Sequence, residues 1–150
     1  MTDRIIVATF RDTNAAYDAA SAIKNLKDSG LAEFKLKAGV MVQKDDRGNL
    51  SLIEDRNRPL VGTAVGTAVG ALIGLLGGAP GVAVGAAIGA TTGLSGDAVM
   101  AALDSDFVDS VTDGMRPGMT AIVVEADEGS TKAVDDIVAL RNGTVYRQAA

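Results

Sequence analysis

Apolar and polar positions change their spacing several times along the chain, and each spacing predicts an element. Arg4-Ile-Ile-Val-Ala-Thr-Phe10 is a β-branched run suited to a buried strand. From Asn14 to Lys27, Ala16, Ala19, Ala20, Ile23 and Leu26 recur at helical spacing, while Asp18, Ser21, Lys24 and Lys27 take much of the other face. Asp12 or Thr13 is placed to cap this helix, and Ser29-Gly30 to stop it. Phe34, Leu36, Ala38, Val40 and Val42 then alternate with Lys35, Lys37 and Gln43, which predicts a strand with one wet face. Asp45-Asp46-Arg47-Gly48 reads as a turn, and Asn49–Glu54 as the returning hairpin strand.

A second set of elements closes the chain. Asp97–Met115 carries a stripe of Val99, Leu103, Phe107, Val108 and Val111 and reads as one helix, broken by Arg116-Pro117-Gly118. Thr120–Glu125 is a second buried-strand run. Ser130 is placed to cap a helix from Thr131 to Leu140, which Asn142-Gly143 ends, and Thr144–Arg147 is a short final strand. The run Ile5–Phe10 with its helix echoes Ala121–Ala126 with its helix. Two such halves predict an α+β fold, a ferredoxin-like (split βαβ) sheet of about four or five strands with helices on one face. The other face then needs a cover, either the sheet of a second subunit or the helix 97–115. Residues 1–61 and 95–150 are expected to form this one domain together.

The interruption, residues 62–94, contains no charged residue. Glycine recurs there at Gly62, Gly66, Gly70 and Gly74, and again at Gly81, Gly85, Gly89 and Gly93, with Gly77-Gly78-Ala79-Pro80 between. Eight helical glycines cost roughly 6–8 kcal/mol relative to alanine, so regular placement asks for a compensating contact. Spacing of four puts them on one slowly winding stripe, where another helix can approach backbone to backbone. A glycine-zipper helical hairpin accounts for the period; a flexible linker or a glycine-rich β structure does not require it. Arms of about 15–18 residues are roughly 22–27 Å long, short of a bilayer core of about 30 Å. The second arm has Val82, Val84, Ile88 and Leu94 as its larger apolar residues, worth roughly −1 to −2.5 kcal/mol of insertion. It is otherwise small on nearly every side, which favours packing among hairpins of several chains.

Composition narrows the chemistry. Among the 150 residues there is no cysteine and no histidine, so disulfides, thiolate catalysis, sulfur-based metal sites and imidazole bases are all excluded. Net charge is −5 and aromatics make up 3%, a poor match for a nucleic-acid surface. No cofactor is implied. Asp104, Asp106, Asp109 and Asp113 form an acidic row with weak potential for a divalent cation, read in the first place as a solvated helix face. Asp45-Asp46 is better explained by the turn. Glu54, Asp55, Arg56 and Arg58 read as surface ion pairing or as a mark of where the hairpin leaves the domain. Tyr17, Tyr146 and the three phenylalanines read as packing residues. The first residues lack the basic and apolar regions of a secretory signal, so the expected place is the cytosol, with association to the inner membrane as the alternative.

The order of these pieces resembles a bacterial domain-of-unknown-function family, often described as small predicted membrane proteins, with a glycine-zipper hairpin inserted in an α/β domain. The matching pieces are Arg4–Phe10 with its helix, Val40–Asn49, the zipper Gly62–Gly93, Leu103–Val111, and Arg116–Val124. They cover nearly the whole chain and contain no catalytic signature, so the resemblance implies no activity. The leading expectation is a non-enzymatic protein that self-assembles through the eight zipper glycines, with itself as partner. A membrane-anchored or membrane-remodelling protein with lipid as partner is the first alternative. A small-ligand sensor or enzyme with a site between subunits is the second.

Overall fold

The computed structural model of the chain describes residues 2–28, 34–53, 72 and 103–149. Among them are five strands and three helices: β1 (Thr2–Phe10), α1 (Thr13–Asp28), β2 (Phe34–Lys44), β3 (Leu50–Leu52), α2 (Ser105–Gly114), β4 (Thr120–Glu128), α3 (Lys132–Ala139) and β5 (Thr144–Ala149). The strands form one sheet in the order β3-β2-β4-β1-β5, and every neighbouring pair is antiparallel. β1 and β2 are joined through α1 but separated by β4; β4 and β5 are joined through α3 but separated by β1. The fold is therefore α+β, with two interleaved strand–helix–strand units.

Local chemistry sets most of the boundaries. Asp12 accepts a hydrogen bond from the Asn14 amide at 3.0 Å and opens α1. In the β2–β3 turn, the Asp45 carboxylate accepts from the backbone amides of Arg47 at 2.9 Å and Asn49 at 2.8 Å, and Gly48 takes φ 84°. The hydrogen bonds from the Asn49 amide, and then the Arg47 amide, hold the Asp45 carboxyl below its ordinary value of 3.8 against a smaller opposing effect of burial. A carboxyl whose folded pKa is lowered contributes stability that is fully present above the ordinary value and is lost as pH falls through the lowered one. Asp45→Asn keeps the acceptor but removes the titration. In urea unfolding, its stability is expected to fall less than the parent's between about pH 6 and about pH 2.5; equal losses would exclude a pH-dependent turn.

Both faces of the sheet are covered. The first holds Ile6, Ala8, Phe10, Leu36, Ile122 and Val124 under Ala16, Ala19, Ala20 and Ile23 of α1 and Val134 and Val138 of α3. The second holds Ile5, Val7, Val40, Val42, Ala121 and Val123 under Phe107 and Val111 of α2, Met115 and Leu72. Of the two covers expected for that face, the helix is seen here over Ser105–Gly114, with Met115 and Leu72 beside it. This explains why the central strands are apolar almost throughout: residues of both parities are buried, as in sheets sandwiched between layers.

Two expectations need correction. The strand at Phe34–Val42 does not keep one apolar face. Leu36 pairs with Ala126 and Ala38 with Glu125, so Lys37 is an extra residue and a bulge. The bulge reverses the parity: Phe34 and Leu36 join the first layer, Met41 follows them there, and Val40 and Val42 enter the second. The helix expected over Asp97–Met115 begins at Ser105, because Asp104 is extended (φ −74°, ψ 126°) and its side chain accepts from the Asp106 amide. Asp97–Ala102 lies outside the described residues, as do Ser29-Gly30, Glu54–Arg58 and the eight zipper glycines.

Candidate functional site

A cleft of about 280 Å³ opens where β1, β4 and β5 meet the loops at one end of the sheet. Its floor comes from the second face. Thr9 of β1 and Thr144 of β5 are register partners, and Val7 pairs with Tyr146 two residues further in. Residues of that parity point toward α2, so both threonines and Tyr146 line the cleft. Tyr146 packs under the end of α2: a Cβ on Gly114 would lie 1.9 Å from the tyrosine Oη, so a side chain there would have to push the tyrosine ring aside.

The walls are loops whose shapes are fixed by their own residues. Arg11 follows β1 immediately before α1. Arg116 begins the Arg116-Pro117-Gly118 turn, which closes with the Met119 amide donating to Arg116 O at 3.1 Å and Gly118 at φ 87°. Asn142 takes the left-handed conformation at φ 58°, ending α3 with the Gly143 amide on Val138 O at 3.0 Å. Gly143 follows because a Cβ there would lie 2.6 Å from the Phe10 ring and 2.7 Å from Val138. Lys44 donates to Met115 O at 3.2 Å and so caps the negative end of α2 beside the cleft.

The lining contains two arginines, Arg11 and Arg116, and no carboxylate. Neither guanidinium forms an ion pair among the described residues. Arg141, by contrast, donates to Ile137 O at 2.8 Å, and Arg4 and Arg147 are engaged at the opposite end of the sheet.

That opposite end holds a buried charge cluster. The Glu128 side chain is 0% exposed, and Arg147 grips it with two hydrogen bonds, Nε to Oε2 at 2.9 Å and Nη2 to Oε1 at 3.1 Å. Arg147 also reaches Asp135 at 2.5 Å and Thr131 O at 3.3 Å, which ties β5 to the first turn of α3. Arg4 Nε lies 3.8 Å from Glu128. Burial disfavours the Arg147 cation, but its bonds to Glu128 and Asp135 outweigh that and hold its pKa above the ordinary arginine value. On the second face nearby, Lys37 at the bulge pairs with Asp3 and, at 3.7 Å, with Asp127.

The acidic row divides. Asp104 caps α2, and Asp106, Asp109 and Asp113 are exposed; no group of three or more potential metal ligands occurs among the described residues. Phe10, Phe34 and Phe107 are core residues, and Tyr17 packs against the first layer. Tyr146 does more than pack, since it also lines the cleft. Arg11, Arg116 and the Glu128–Arg147 pair had no motif to announce them. The pair did leave a trace: continuing the alternation Ile122, Val124, Ala126 places Glu128 on the covered face. Among the described residues no helix is long and apolar enough to cross a membrane.

These features define a small α+β protein with a doubly covered antiparallel sheet and an arginine-lined cleft at one end. A family model described as "Protein of unknown function (DUF1269)" matches residues 63–149, more than half of the chain, and the protein belongs to that family. The match takes in α2, β4, α3 and β5 together with most of the glycine-rich block. No curated protein and no solved structure matches the chain.

Proposed function

We propose that this is a non-enzymatic, self-associating protein, in which a ferredoxin-like domain carries a glycine-zipper helical hairpin and copies join through that hairpin. The order β2-β4-β1-β5, with each strand–helix–strand unit split by a strand of the other, supports the ferredoxin-like reading; β3 is an addition at one edge. The observation that carries the association reading is Leu72. It is helical, 0% exposed, and packed in the second core layer. It is the one described residue of the glycine-rich block, and it belongs to the domain's core. The burial of the second face under Phe107, Val111, Met115 and Leu72 supports a contact other than sheet on sheet. The period-four glycines on either side of Gly77-Gly78-Ala79-Pro80 then supply stripes for close helix contact between copies.

Gly70→Leu combined with Gly85→Leu is expected to reduce the particle mass in light scattering while the far-ultraviolet circular dichroism of the domain persists. An unchanged particle would mean that the zipper is not the contact. Alkaline carbonate treatment of membranes separates this reading from the membrane-anchored one. Recovery in the supernatant is expected, and retention in the pellet would place the hairpin in lipid.

A further inference from the structure

We propose that the cleft between the end of α2 and the β1–β5 edge binds a small organic molecule by an oxyanion group, a phosphate monoester or a carboxylate, gripped by Arg11 and Arg116. The first ground is charge. The chain as a whole is at −5, yet the cleft presents two guanidiniums and no acid. A protein with 19 acidic residues has ample means to neutralise exposed arginines, and it pairs Arg4 and Arg147 with Glu128. Arg11 and Arg116 have no such partner among the described residues. Guanidinium forks bind phosphate and carboxylate oxygens in pairs, so two of them from different loops make a clamp for one anion.

The second ground is the rest of the lining. Hydroxyls of Thr9, Thr144 and Tyr146 supply neutral donors beside the two cations. Thr9 and Thr144 stand on paired strands and Arg116 on a proline–glycine turn, so the donors are held before a ligand arrives. Lys44 offsets the negative end of α2, which would otherwise repel an anion there. The third ground is size. A volume of about 280 Å³ exceeds what a bare inorganic anion fills and lies near the lower end of small-molecule pockets, about 300–1,000 Å³. Met119 and the Tyr146 ring give an apolar wall for the body of the molecule.

Calorimetric titration of the full chain with phenyl phosphate, benzoate and phenol, at matched ionic strength, tests this. Saturable binding of at least one of the two anions is expected, with none by phenol. The stronger of the two anions identifies the preferred oxyanion. R11Q/R116Q is expected to weaken that binding at least about tenfold, since each lost bond involves a charged donor. Lys24→Gln, an exposed cation on α1, is expected to change nothing. Both arginines are exposed, and circular dichroism checks the fold of the variant. Should the double variant fold poorly, Arg116→Gln alone carries the same expectation. Silence with both anions, equal binding of phenol, or undiminished binding in the arginine variants would overturn the proposal.

Discussion

Glu128→Ala is expected to destabilise the fold by about 3 kcal/mol, a large part of the roughly 5–15 kcal/mol that holds a domain together. The reason lies in what the substitution leaves behind. Glu128 is fully enclosed and accepts both forks of Arg147. Without it, a guanidinium whose side chain is 16% exposed keeps Asp135 and the Thr131 carbonyl but loses its bidentate partner. The partial exposure and the surviving bonds place the cost at the lower end of the range for a broken buried pair. Removing both charges is a different experiment. E128L/R147M fills the same space with apolar atoms and is expected to recover to within about 1 kcal/mol of the parent. Urea unfolding followed by circular dichroism measures both. A single variant as stable as the parent would show that Arg147 does not need the enclosed carboxylate as a partner.

Leu72→Ala is expected to cost about 2–5 kcal/mol, the range for truncating a buried leucine in a packed core. Leu72 shares the second layer with Val7, Val42, Val123 and Val111, all fully buried, so little of the lost volume can be taken up by solvent-facing side chains. Leu72→Met conserves volume and is expected to cost less than about 1.5 kcal/mol. The comparison in urea decides whether the glycine-rich block is part of the domain's folding unit. If Leu72→Ala unfolds with the parent's midpoint, the second face holds without that leucine and the block is a separate attachment.

Much of the fold is legible in the sequence because the strongest signals are local. Ile5–Ala8 and Ala121–Val124 announce central strands by unbroken apolar runs. The alanines of α1 announce a helix that packs closely on the sheet. Asp45 to Gly48 announce their turn by side-chain chemistry that needs no tertiary help. The bulge at Lys37 was hidden because Ala38 and Gly39 are small enough to suit either face; Met41, apolar on the supposedly wet side, was its sign. Asp104 was hidden inside a stripe that Val99, Leu103 and Phe107 continue in helical spacing.

The cleft was less legible. Arg11 and Arg116 are brought together by the β1–β4 register, in which Phe10 faces Thr120. No local pattern encodes that pairing. The Pro-Gly turn and the Asn142 stop were visible as punctuation, but punctuation does not say which loops meet. The charge cluster falls between: the alternation places Glu128 inside, and the pairing of β1 with both β4 and β5 supplies the arginines.

The central position of β1 also governs the order in which the chain can be assembled as it is made. Its neighbours in the sheet are β4 and β5, so Phe10 waits for Thr120 and Thr9 for Thr144. At about 5–20 residues per second, Phe10 is synthesised roughly 6–22 s before its partner. Throughout that interval Ile5, Ile6 and Val7 have no sheet to enter, and the whole glycine-rich block emerges beside them. The long-range pairing makes closure of the sheet a late, slow step in folding. The apolar residues of β1 therefore stay without partner strands until β4 and β5 have been made, and the domain cannot close before then.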